Sequence, residues 1–373
     1  MQTSPLPPSD LFHNFIMLNY SLIPCILLLI GLLRKSLGVN SDSRPRKLGS
    51  GLLNSRNIVI SAGAAAAAVG FKSYIDGPVF KEQVDLTGYN VVITGANTGL
   101  GKASALRLAQ LGALVIMLVK SLDKGNAAIE DIRKVVPNAR ISAIELDLAS
   151  LNSIEKCASQ VTSLLSGDGI DVLLNNAGVM AIPTKILTKD GFEAHMGINH
   201  LGHFALTSSL FPLLKKGGKG KGARVINVSS SAHMLGHIDF ENLMFEKEGT
   251  YSAWPAYGNS KLANILFTRE LNRRLREKSS DIITTACHPG ACRTELGRYI
   301  FDPSSTPAYL APVLGVALSP LGEIYSFFTA YFLCLCEYVV YLTKSAEQGA
   351  QTQIFLSASK QISLSDSGEL DLH

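Results

Sequence analysis

Residues 90–101 read NVVITGANTGLG, a short β-branched run that passes directly into a glycine-rich turn. The run predicts a buried strand at Asn90–Thr94, and the pattern from Lys102 to Leu111 predicts the helix that follows. Glycines at such a turn let the backbone approach a ligand, and the helix N-terminus offers unpaired N–H groups to an anion. An ordinary tight turn is the alternative. The residues predicted to hold a dinucleotide phosphate are Thr94, Gly95, Asn97, Thr98, Gly99, Leu100 and Gly101.

Beyond Lys81, short apolar runs alternate with longer helical patterns. Further buried strands are predicted at Leu114–Val119, Ile141–Leu146, Ile170–Leu174, Arg224–Val228 and Ile282–Cys287. This alternation is typical of βαβ units, in which helices cover both faces of a parallel sheet. We therefore expect one α/β domain at residues 85–373, with a doubly wound, Rossmann-type parallel sheet.

The composition restricts the class of protein. Apolar residues make up 47% of the 373 residues and charged residues 17%, which excludes a disordered or disulfide-stapled chain. A net charge of +4 without a basic stripe argues against a nucleic-acid partner. The six cysteines show no paired CxxC spacing, so we expect a reducing compartment and no metal site.

An apolar segment without charges lies at residues 15–33, after an N-terminal tail at 1–14. It is long enough to cross a bilayer, and it is either an uncleaved anchor or a signal. Arg34 and Lys35 follow it where a secretory signal would carry small residues, which favours the anchor. The cations after the segment predict a catalytic domain that faces the cytosol, on the endoplasmic reticulum membrane.

Residues 34–84 form a linker that is basic and rich in Ser and Ala. Its composition is also typical of a transit peptide, so a two-step address into a plastid is the alternative. Near the C-terminus, residues 324–342 form a second apolar run, interrupted by Glu337. A charge at that depth favours an interfacial helix or an apolar substrate lid over a spanning helix.

Lys120 and Ser121 follow the second predicted strand, where an Asp or Glu would bind the ribose hydroxyls of NAD. A cation at this place pairs instead with the 2′-phosphate of NADP, with help from Lys102 at the start of the preceding helix. The position therefore predicts NADP. The alternatives are a solvated surface lysine and an Asp123 side chain that turns toward the ribose.

Tyr257-Gly258-Asn259-Ser260-Lys261 opens another helical pattern. Residues four apart lie on one face of a helix, so the phenol and the ammonium are neighbours. A phenol titrates near ~10, and an adjacent cation stabilises its phenolate form. This pattern indicates proton transfer by Tyr257, although a surface tyrosine beside an unrelated lysine would look the same.

In chain order the motifs resemble the short-chain dehydrogenase/reductase superfamily, and within it the retinol-dehydrogenase-like branch. The motifs are TGxxxGxG at 94–101, DLAS at 147–150, NNAG at 175–178, NHLGHF at 199–204, VSS at 228–230, YxxxK at 257–261 and HPG at 288–290.

The resemblance implies four catalytic residues. Tyr257 would act as general acid or base, and Ser230, rather than its neighbour Ser229, would hold the substrate oxygen. Lys261 would bind the nicotinamide ribose and tune Tyr257. Asn199 would anchor a water that relays the proton to solvent.

The resemblance also implies the remaining cofactor contacts. Asp147 and Leu148 would lie beside the adenine, and the NNAG motif would form the floor of the site. Residues 289–294 would close over the nicotinamide. The implied cofactor contacts are Asp147, Leu148, Asn176, Ala177, Gly178, Tyr257, Lys261, Pro289, Gly290 and Thr294. Two features depart from the branch: Lys120 replaces its usual arginine, and the tail at 361–373 lacks its glycine-aromatic strand ending.

The expected function is that of an NADP-dependent oxidoreductase that interconverts a lipophilic alcohol and its aldehyde or ketone. Retinoid-like or polyprenyl-like compounds are candidate substrates, entering from the membrane past the polar and aromatic insertion at 237–254. The alternatives are a plastid reductase of a pigment precursor and a non-catalytic NADPH-binding regulator. The helices predicted at Leu201–Leu214 and Tyr257–Arg276 would either form the face of a homodimer or pack on the sheet of their own chain.

Overall fold

A computed structural model describes residue 70 and residues 72–299, 343–363, 367 and 370–371. The predicted anchor at 15–33, most of the linker and the apolar run at 324–342 lie outside these residues. Within them, no helix has both the length and the apolarity needed to cross a membrane. The chain divides into two compact units, Met1–Tyr74 and Ile75–His373, and the fold below is that of the second.

The second unit is a parallel sheet with helices on both faces. Its described strands are β1 Asn90–Thr94, β2 Leu114–Val119, β3 Ile141–Glu145, β4 Val172–Asn175, β5 Arg224–Val228, β6 Ile283–Cys287 and β7 Leu370–Asp371. Its described α-helices are α1 Gly99–Gln110, α2 Leu122–Val135, α3 Leu151–Leu165, α4 Gly202–Leu214, α5 Ala253–Glu277, α6 Ala346–Gly349 and α7 Gln351–Ala358. The strand order is β3-β2-β1-β4-β5-β6-β7 and every pairing is parallel. The predicted parallel α/β sheet is therefore confirmed.

Side chains of β1 alternate between two cores, because successive residues of a strand point to opposite faces. Val91 and Ile93 pack in a cluster that includes residues of α1, α2 and α7. Val92 packs in a second cluster that includes residues of α3, α4 and α5. Burial on both faces explains why the strand is a continuous apolar run.

The predicted strand bounds are reproduced for β1, β2 and β5. The largest difference is at β4, which begins at Val172 instead of Ile170. The N–H of Ile170 bonds to the carbonyl of Leu213, outside the sheet, and the Asp171 carboxylate accepts from the N–H of Asn90 at 2.7 Å. The polar side chain therefore anchors the loop before the strand starts.

Strand β7 was not predicted. It is two residues long and pairs with β6 through Ala286↔Leu370 and Cys287↔Asp371. So short a segment offers no apolar period, which is the sequence signal for a strand.

Helix α5 begins at Ala253, one turn earlier than the prediction at Tyr257. Ser252 stands at its N-cap position, and Pro255 lies in its first turn, where a backbone N–H has no helical partner to lose. Helix α4 is preceded by a π-helical turn at Met196–Leu201. Such wider turns are frequent at functional sites.

Arg224, at the start of β5, ties the last helix to the centre of the sheet. Its guanidinium donates to the carbonyl of Leu356 at 2.9 Å and to that of Ser359 at 2.7 Å, at the C-terminal end of α7. Burial lowers the pKa of this group. The carbonyls at a helix C-terminus lack helical partners and attract cations, so both groups are satisfied.

Candidate active site

The glycine turn lies between β1 and α1. Gly95 and Gly99 have φ angles of +63° and +52°, a region that L side chains rarely adopt. A Cβ at Gly101 would lie 2.4 Å from the carbonyl oxygen of Gly95 and 2.6 Å from Nδ2 of Asn176, so only glycine lets α1 approach β1 and β4.

The first turn of α1 is open to an anion. In this fully described helix, Thr98 makes no side-chain cap hydrogen bond and the first turn carries no acidic residue. The N–H groups at a helix N-terminus lack helical partners and favour negative charge. The predicted turn residues 94–101 therefore lie together and fit a pyrophosphate group.

The end of β4 is bonded to the end of β1 under this turn. Asn176 donates through Nδ2 to the carbonyl of Thr94 at 2.8 Å, and the N–H groups of Asn176 and Ala177 both donate to the Thr94 hydroxyl at 2.9 Å. Gln353 of α7 donates to Oδ1 of Asn176 at 3.2 Å. Gln353 was not predicted, because no spacing links a residue so distant in sequence to the motif.

Asn175, the first residue of the same motif, does not lie on the surface of this floor. It is buried and donates to Thr207 at 3.0 Å and to Asn227 of β5 at 2.8 Å. Its Oδ1 has no hydrogen-bond partner among the described residues. The implied floor is therefore reduced to Asn176, Ala177 and Gly178.

Tyr257 and Ser230 are neighbours. The side chain of Tyr257 is buried and only 3% exposed. Burial raises the pKa of Tyr257 to about 12, and the Ser230 hydroxyl beside the phenol opposes this shift. The hydroxyl of Ser229 instead donates to the carbonyl of Lys261 at 2.8 Å. The structure therefore brings Ser230, and not Ser229, to the phenol.

Lys261 lies one turn along α5 from Tyr257, as the spacing predicted. Its Nζ is 5.8 Å from the centroid of the Tyr257 ring and donates to the carbonyl of Val228 at 2.9 Å. Burial lowers the pKa of Lys261 to about 8. The ammonium therefore lies beside the ring, and the phenol is protonated at neutral pH in the protein alone.

Two aromatic rings flank Tyr257 edge-on: His195 at 6.1 Å and Trp254 at 6.4 Å between centroids. Nδ1 of His195 bonds to Glu193 at 2.8 Å, and Nε2 accepts from the N–H of Ile182 at 3.2 Å. Burial opposes ionisation of Glu193, but hydrogen bonds from His195 and Met196 outweigh it and lower its pKa. Sequence reasoning missed the Glu193–His195 pair, although the two residues precede the NHLGHF motif directly.

Asn199 lies in the π-helical turn and is fully buried. Its Oδ1 accepts from the N–H of Val179 at 2.8 Å, and its Nδ2 donates to the carbonyl of Val179 at 3.0 Å and to Ser260 at 2.9 Å. The side chain thus fixes the segment after β4 against α5. Its main-chain carbonyl accepts from Nδ1 of His203 at 3.0 Å.

Asp147, after β3, lies between two lysines. Lys120 is 3.4 Å from one carboxylate oxygen and Lys189 is 3.1 Å from the other. Burial opposes ionisation, but the contacts with Lys189 and the N–H of Ala149 outweigh it and lower the pKa of Asp147. Lys189 comes from a loop that sequence reasoning did not connect with this edge of the sheet. Leu148 beside Asp147 is buried, and its carbonyl packs against Gly202.

Lys102 does not join Lys120. Its ammonium bonds to Asp131 of α2 at 2.8 Å, and the same carboxylate also binds Lys134. The position of Lys102 therefore does not support its expected contribution to binding a 2′-phosphate.

The segment after β6 lies over the glycine turn. A Cβ at Gly99 would be 3.1 Å from Cγ2 of Thr294, so the two segments are in contact. Gly290 has a φ angle of +79°, and Cys292 donates from its thiol to the carbonyl of Pro289 at 3.3 Å. The predicted residues Pro289, Gly290 and Thr294 thus lie at the same edge of the sheet as the turn.

Comparison with known proteins agrees with this arrangement. The short chain dehydrogenase family matches residues 89–304. Retinol dehydrogenase 13 of Homo sapiens is 39% identical over 298 residues, which are 80% of each chain. Retinol dehydrogenase 12 of Mus musculus is 38% identical over 295 residues, 79% of this chain and 81% of that one.

Solved structures share the fold. Levodione reductase superposes with a TM-score of 0.55 at 19% identity, over 77% of this chain and 96% of that one. The Pseudomonas aeruginosa RhlG/NADP complex gives a TM-score of 0.54 at 22% identity, over 79% and 97% of the two chains. The chain therefore belongs to the short-chain dehydrogenase/reductase superfamily, as an oxidoreductase of its retinol-dehydrogenase-like branch.

Proposed function

We propose that this protein transfers a hydride between NADP and a lipophilic alcohol or its aldehyde or ketone, with Tyr257 as general acid and base. One observation carries the proposal: the buried phenol of Tyr257 lies beside the Ser230 hydroxyl, with the Lys261 ammonium 5.8 Å from the centroid of its ring. The family of which the chain is a member uses NAD or NADP.

The chain's own groups have three tasks, because a nicotinamide cofactor supplies the hydride. In reduction, Ser230 holds the substrate oxygen by a hydrogen bond, and Tyr257 donates its proton to that oxygen. A phenol pKa of about 12 keeps this proton in place at neutral pH. Lys261 holds the nicotinamide ribose, and Asn199 anchors the water through which Tyr257 regains a proton.

The cofactor would be held along the C-terminal edge of the sheet. The first turn of α1 holds the pyrophosphate, Asp147 and Leu148 border the adenine, and residues 289–294 cover the nicotinamide. Lys120 selects NADP, because its side chain is 75% exposed and its 3.4 Å ion pair with Asp147 leaves room to bind a phosphate. The Asp147 carboxylate also pairs with Lys189 at 3.1 Å, so it keeps a cationic partner when Lys120 binds a phosphate.

An apolar substrate fits the surroundings of the site. Exposed large apolar side chains belong to the segments that flank Tyr257; they are Ile186, Leu187, Met234, Leu235 and Trp254. The phenol of Tyr251 donates to the carbonyl of Ile182 at 2.7 Å, which joins the insertion at 237–254 to the segment after β4. Retinoids are the proposed substrates, in keeping with the name retinol dehydrogenase that the relatives carry, and polyprenyl aldehydes are proposed from the apolar surroundings alone.

Wild-type protein and Tyr257→Phe test this function. With NADPH and a panel of retinal and long-chain aldehydes, we expect turnover by the wild type and a loss of at least ~100-fold in kcat in the variant. NADPH affinity, measured by cofactor fluorescence, should fall by no more than about fivefold, the ratio equivalent to one neutral hydrogen bond. If the wild type binds NADPH but turns over no aldehyde, the protein is a non-catalytic regulator instead. If the wild type prefers NADH to NADPH, Lys120 does not select NADP.

We also propose that residues 15–33 anchor the protein in the endoplasmic reticulum membrane with the catalytic unit in the cytosol, so that a lipophilic substrate enters from the bilayer past residues 324–342. Fractionation of a tagged chain and sequencing of its mature N-terminus test this location. Recovery in microsomes with an intact N-terminus supports it, whereas a start near residue 75 in plastids supports the alternative of a pigment-precursor reductase.

A homodimer through α4 and α5 completes the proposal. Phe204 and Phe267 stack edge-on at 5.4 Å, and Phe204 is 49% exposed. Light scattering of the wild type and of Phe204→Asp should show a dimer and a monomer respectively; a monomeric wild type overturns this part.

A further inference from the structure

His203 lies in the first turn of α4 and is 2% exposed. Its ring connects the cofactor side of the site with the catalytic side. Nε2 is 2.9 Å from the hydroxyl oxygen of Thr94, and Nδ1 is 3.0 Å from the main-chain oxygen of Asn199. One imidazole therefore touches both the end of β1 and the π-helical turn.

The partners fix the tautomer of this ring. The carbonyl oxygen of Asn199 only accepts, so Nδ1 of His203 carries the hydrogen. Nε2 then accepts, and the hydroxyl of Thr94 is its donor. The competing acceptor for that hydroxyl, the carbonyl of Leu174, is 3.5 Å away and thus forms the weaker bond.

Each bond orders one part of the site. With its proton directed to His203, the Thr94 oxygen presents its lone pairs to the N–H groups of Asn176 and Ala177, both at 2.9 Å. The hydrogen bond from His203 occupies one lone pair of the main-chain oxygen of Asn199. Because a carbonyl oxygen accepts hydrogen bonds near the plane of its peptide group, the direction of its second lone pair is then fixed. Nδ2 of Asn199 is bonded to Ser260, next to Lys261.

The charges around the ring keep it neutral. Burial, together with the nearby charges of Lys261 and His200, lowers the pKa of His203 to about 3, and the hydrogen bond to Asn199 opposes this shift. A neutral ring is what the two bonds require, because a protonated Nε2 would compete with Asn176 and Ala177 for the Thr94 oxygen.

We propose that His203 is a positioning residue that sets the Asn199 carbonyl and the Thr94 hydroxyl relative to each other, and so couples cofactor binding to proton supply. The inference rests on the proposed function, since it assigns the glycine turn to the cofactor and Asn199 to the proton path.

Two conservative variants separate the two bonds. His203→Gln places an acceptor near the position of Nε2 and has no donor near Nδ1, whereas His203→Asn places a donor near Nδ1 and does not reach Thr94. We expect His203→Gln to keep NADPH affinity within about twofold and to lose on the order of 100-fold in kcat. We expect His203→Asn to keep kcat and to weaken NADPH binding about fivefold, the ratio equivalent to one neutral hydrogen bond.

Ser208→Ala, on the exposed face of α4, is the matched control and should change neither quantity. The proposal is overturned if the Gln and Asn variants melt at the same temperature as the control and change kcat and NADPH affinity to the same extent as each other. If the variants do not fold, nitrogen NMR of the wild-type histidines decides: hydrogen on Nδ1 of His203 supports the proposal and hydrogen on Nε2 overturns it. A wild type that neither binds NADPH nor reduces an aldehyde contradicts the proposed function, while the NMR result still tests the bonds.

Discussion

The Nζ atom of Lys261 is held 2.9 Å from the main-chain oxygen of Val228, at the end of β5. The residue is 3% exposed, and burial lowers its pKa to about 8 from 10.5. A group whose charged form is desolvated in this way destabilises the folded state. The cation that the chemistry needs therefore weakens the fold that holds it.

Replacing Lys261 with Met should abolish aldehyde reduction and stabilise the protein at pH 7. Between pH 8 and 10.5 the unfolded chain binds the lysine proton and the folded chain does not, so wild-type stability rises with pH across this window. Below about pH 8 the charged ammonium lowers the free energy of unfolding by its full amount, which is at most about 3 kcal/mol. Urea unfolding of both proteins at pH 7 and near pH 10.5 measures it. A Met variant that is less stable than the wild type at pH 7 contradicts this account.

The direction of the reaction should determine its pH dependence. Because burial raises the pKa of Tyr257 to about 12, its proton is available for reduction throughout the neutral range. We expect kcat for reduction to be flat between about pH 6 and 8, below the pKa of Lys261, and kcat for oxidation to rise about tenfold per pH unit over this range with the phenolate fraction. Steady-state rates at saturating cofactor in both directions test this. An oxidation rate that levels off below pH 8 would place the pKa of the phenol far lower.

Gly101→Ala isolates a steric effect, because Gly101 does not have the positive φ of Gly95 and Gly99. The added Cβ would meet backbone at 2.4 Å, and neither β1 nor α1 can move without disturbing the core. We expect a loss of about 3 kcal/mol in the free energy of unfolding, the upper part of the overpacking range, together with loss of NADPH binding.

Gly220→Ala is the control for Gly101→Ala. Gly220 has a φ angle of +76° and open space around the position of a Cβ, so only the backbone preference changes. We expect a loss of about 1 kcal/mol and unchanged cofactor affinity. Similar effects of the two substitutions would show that the close approach of α1 to β1 is unimportant.

Arg224→Met should destabilise the protein by about 2 kcal/mol, since the carbonyls of Leu356 and Ser359 lose their charged donor in a buried setting. Arg273→Met removes an arginine from ion pairs on the exposed face of α5 and should leave the denaturant midpoint unchanged. If both variants unfold at the same urea concentration, the guanidinium of Arg224 makes no net contribution to the fold.

His203 should contribute to acid unfolding. Its folded pKa of about 3 lies below the usual 6.5, so below pH 6.5 the unfolded chain binds a proton that the folded chain cannot. Stability is therefore lost as the pH falls from 6.5 toward 3, by about 1.4 kcal/mol per pH unit for one proton. His203→Gln removes this group, and its stability curve should be flatter than that of the wild type over the same window. Parallel curves would mean that His203 is protonated in the folded protein.

Much of the fold follows from local sequence. β1 and β2 are built on short apolar, β-branched runs, as expected of strands that are buried on both faces of a parallel sheet. β5 carries Arg224 and Asn227, and its three valine and isoleucine residues still indicate a strand. β4 was placed two residues too early because Asp171 reads as part of the run, while its carboxylate binds the N–H groups of Asn90 and Gly218. Contacts of this kind depend on the tertiary fold and leave no periodic signal.

The candidate site divides in the same way. Tyr257 and Lys261 were identified because their spacing places them on one face of a helix, and Ser230 was identified from the resemblance of its motif to the superfamily. Gln353 and Lys189 were missed, since each reaches the site from a distant segment and a common polar residue type carries no information by itself. Tertiary packing determines which residues distant in sequence come into contact, and a single sequence does not reveal these contacts.

The contact of Arg224 with the last described helix also determines when the molecule can become complete. The residue stands at the start of β5, yet its acceptors, Leu356 and Ser359, lie 132 and 135 residues later in the sequence. During synthesis, the middle of the sheet emerges from the ribosome long before those acceptors do. A nascent chain therefore carries a guanidinium that cannot be buried in this way until α7 has been translated, and a premature stop codon that removes α7 would leave it so permanently.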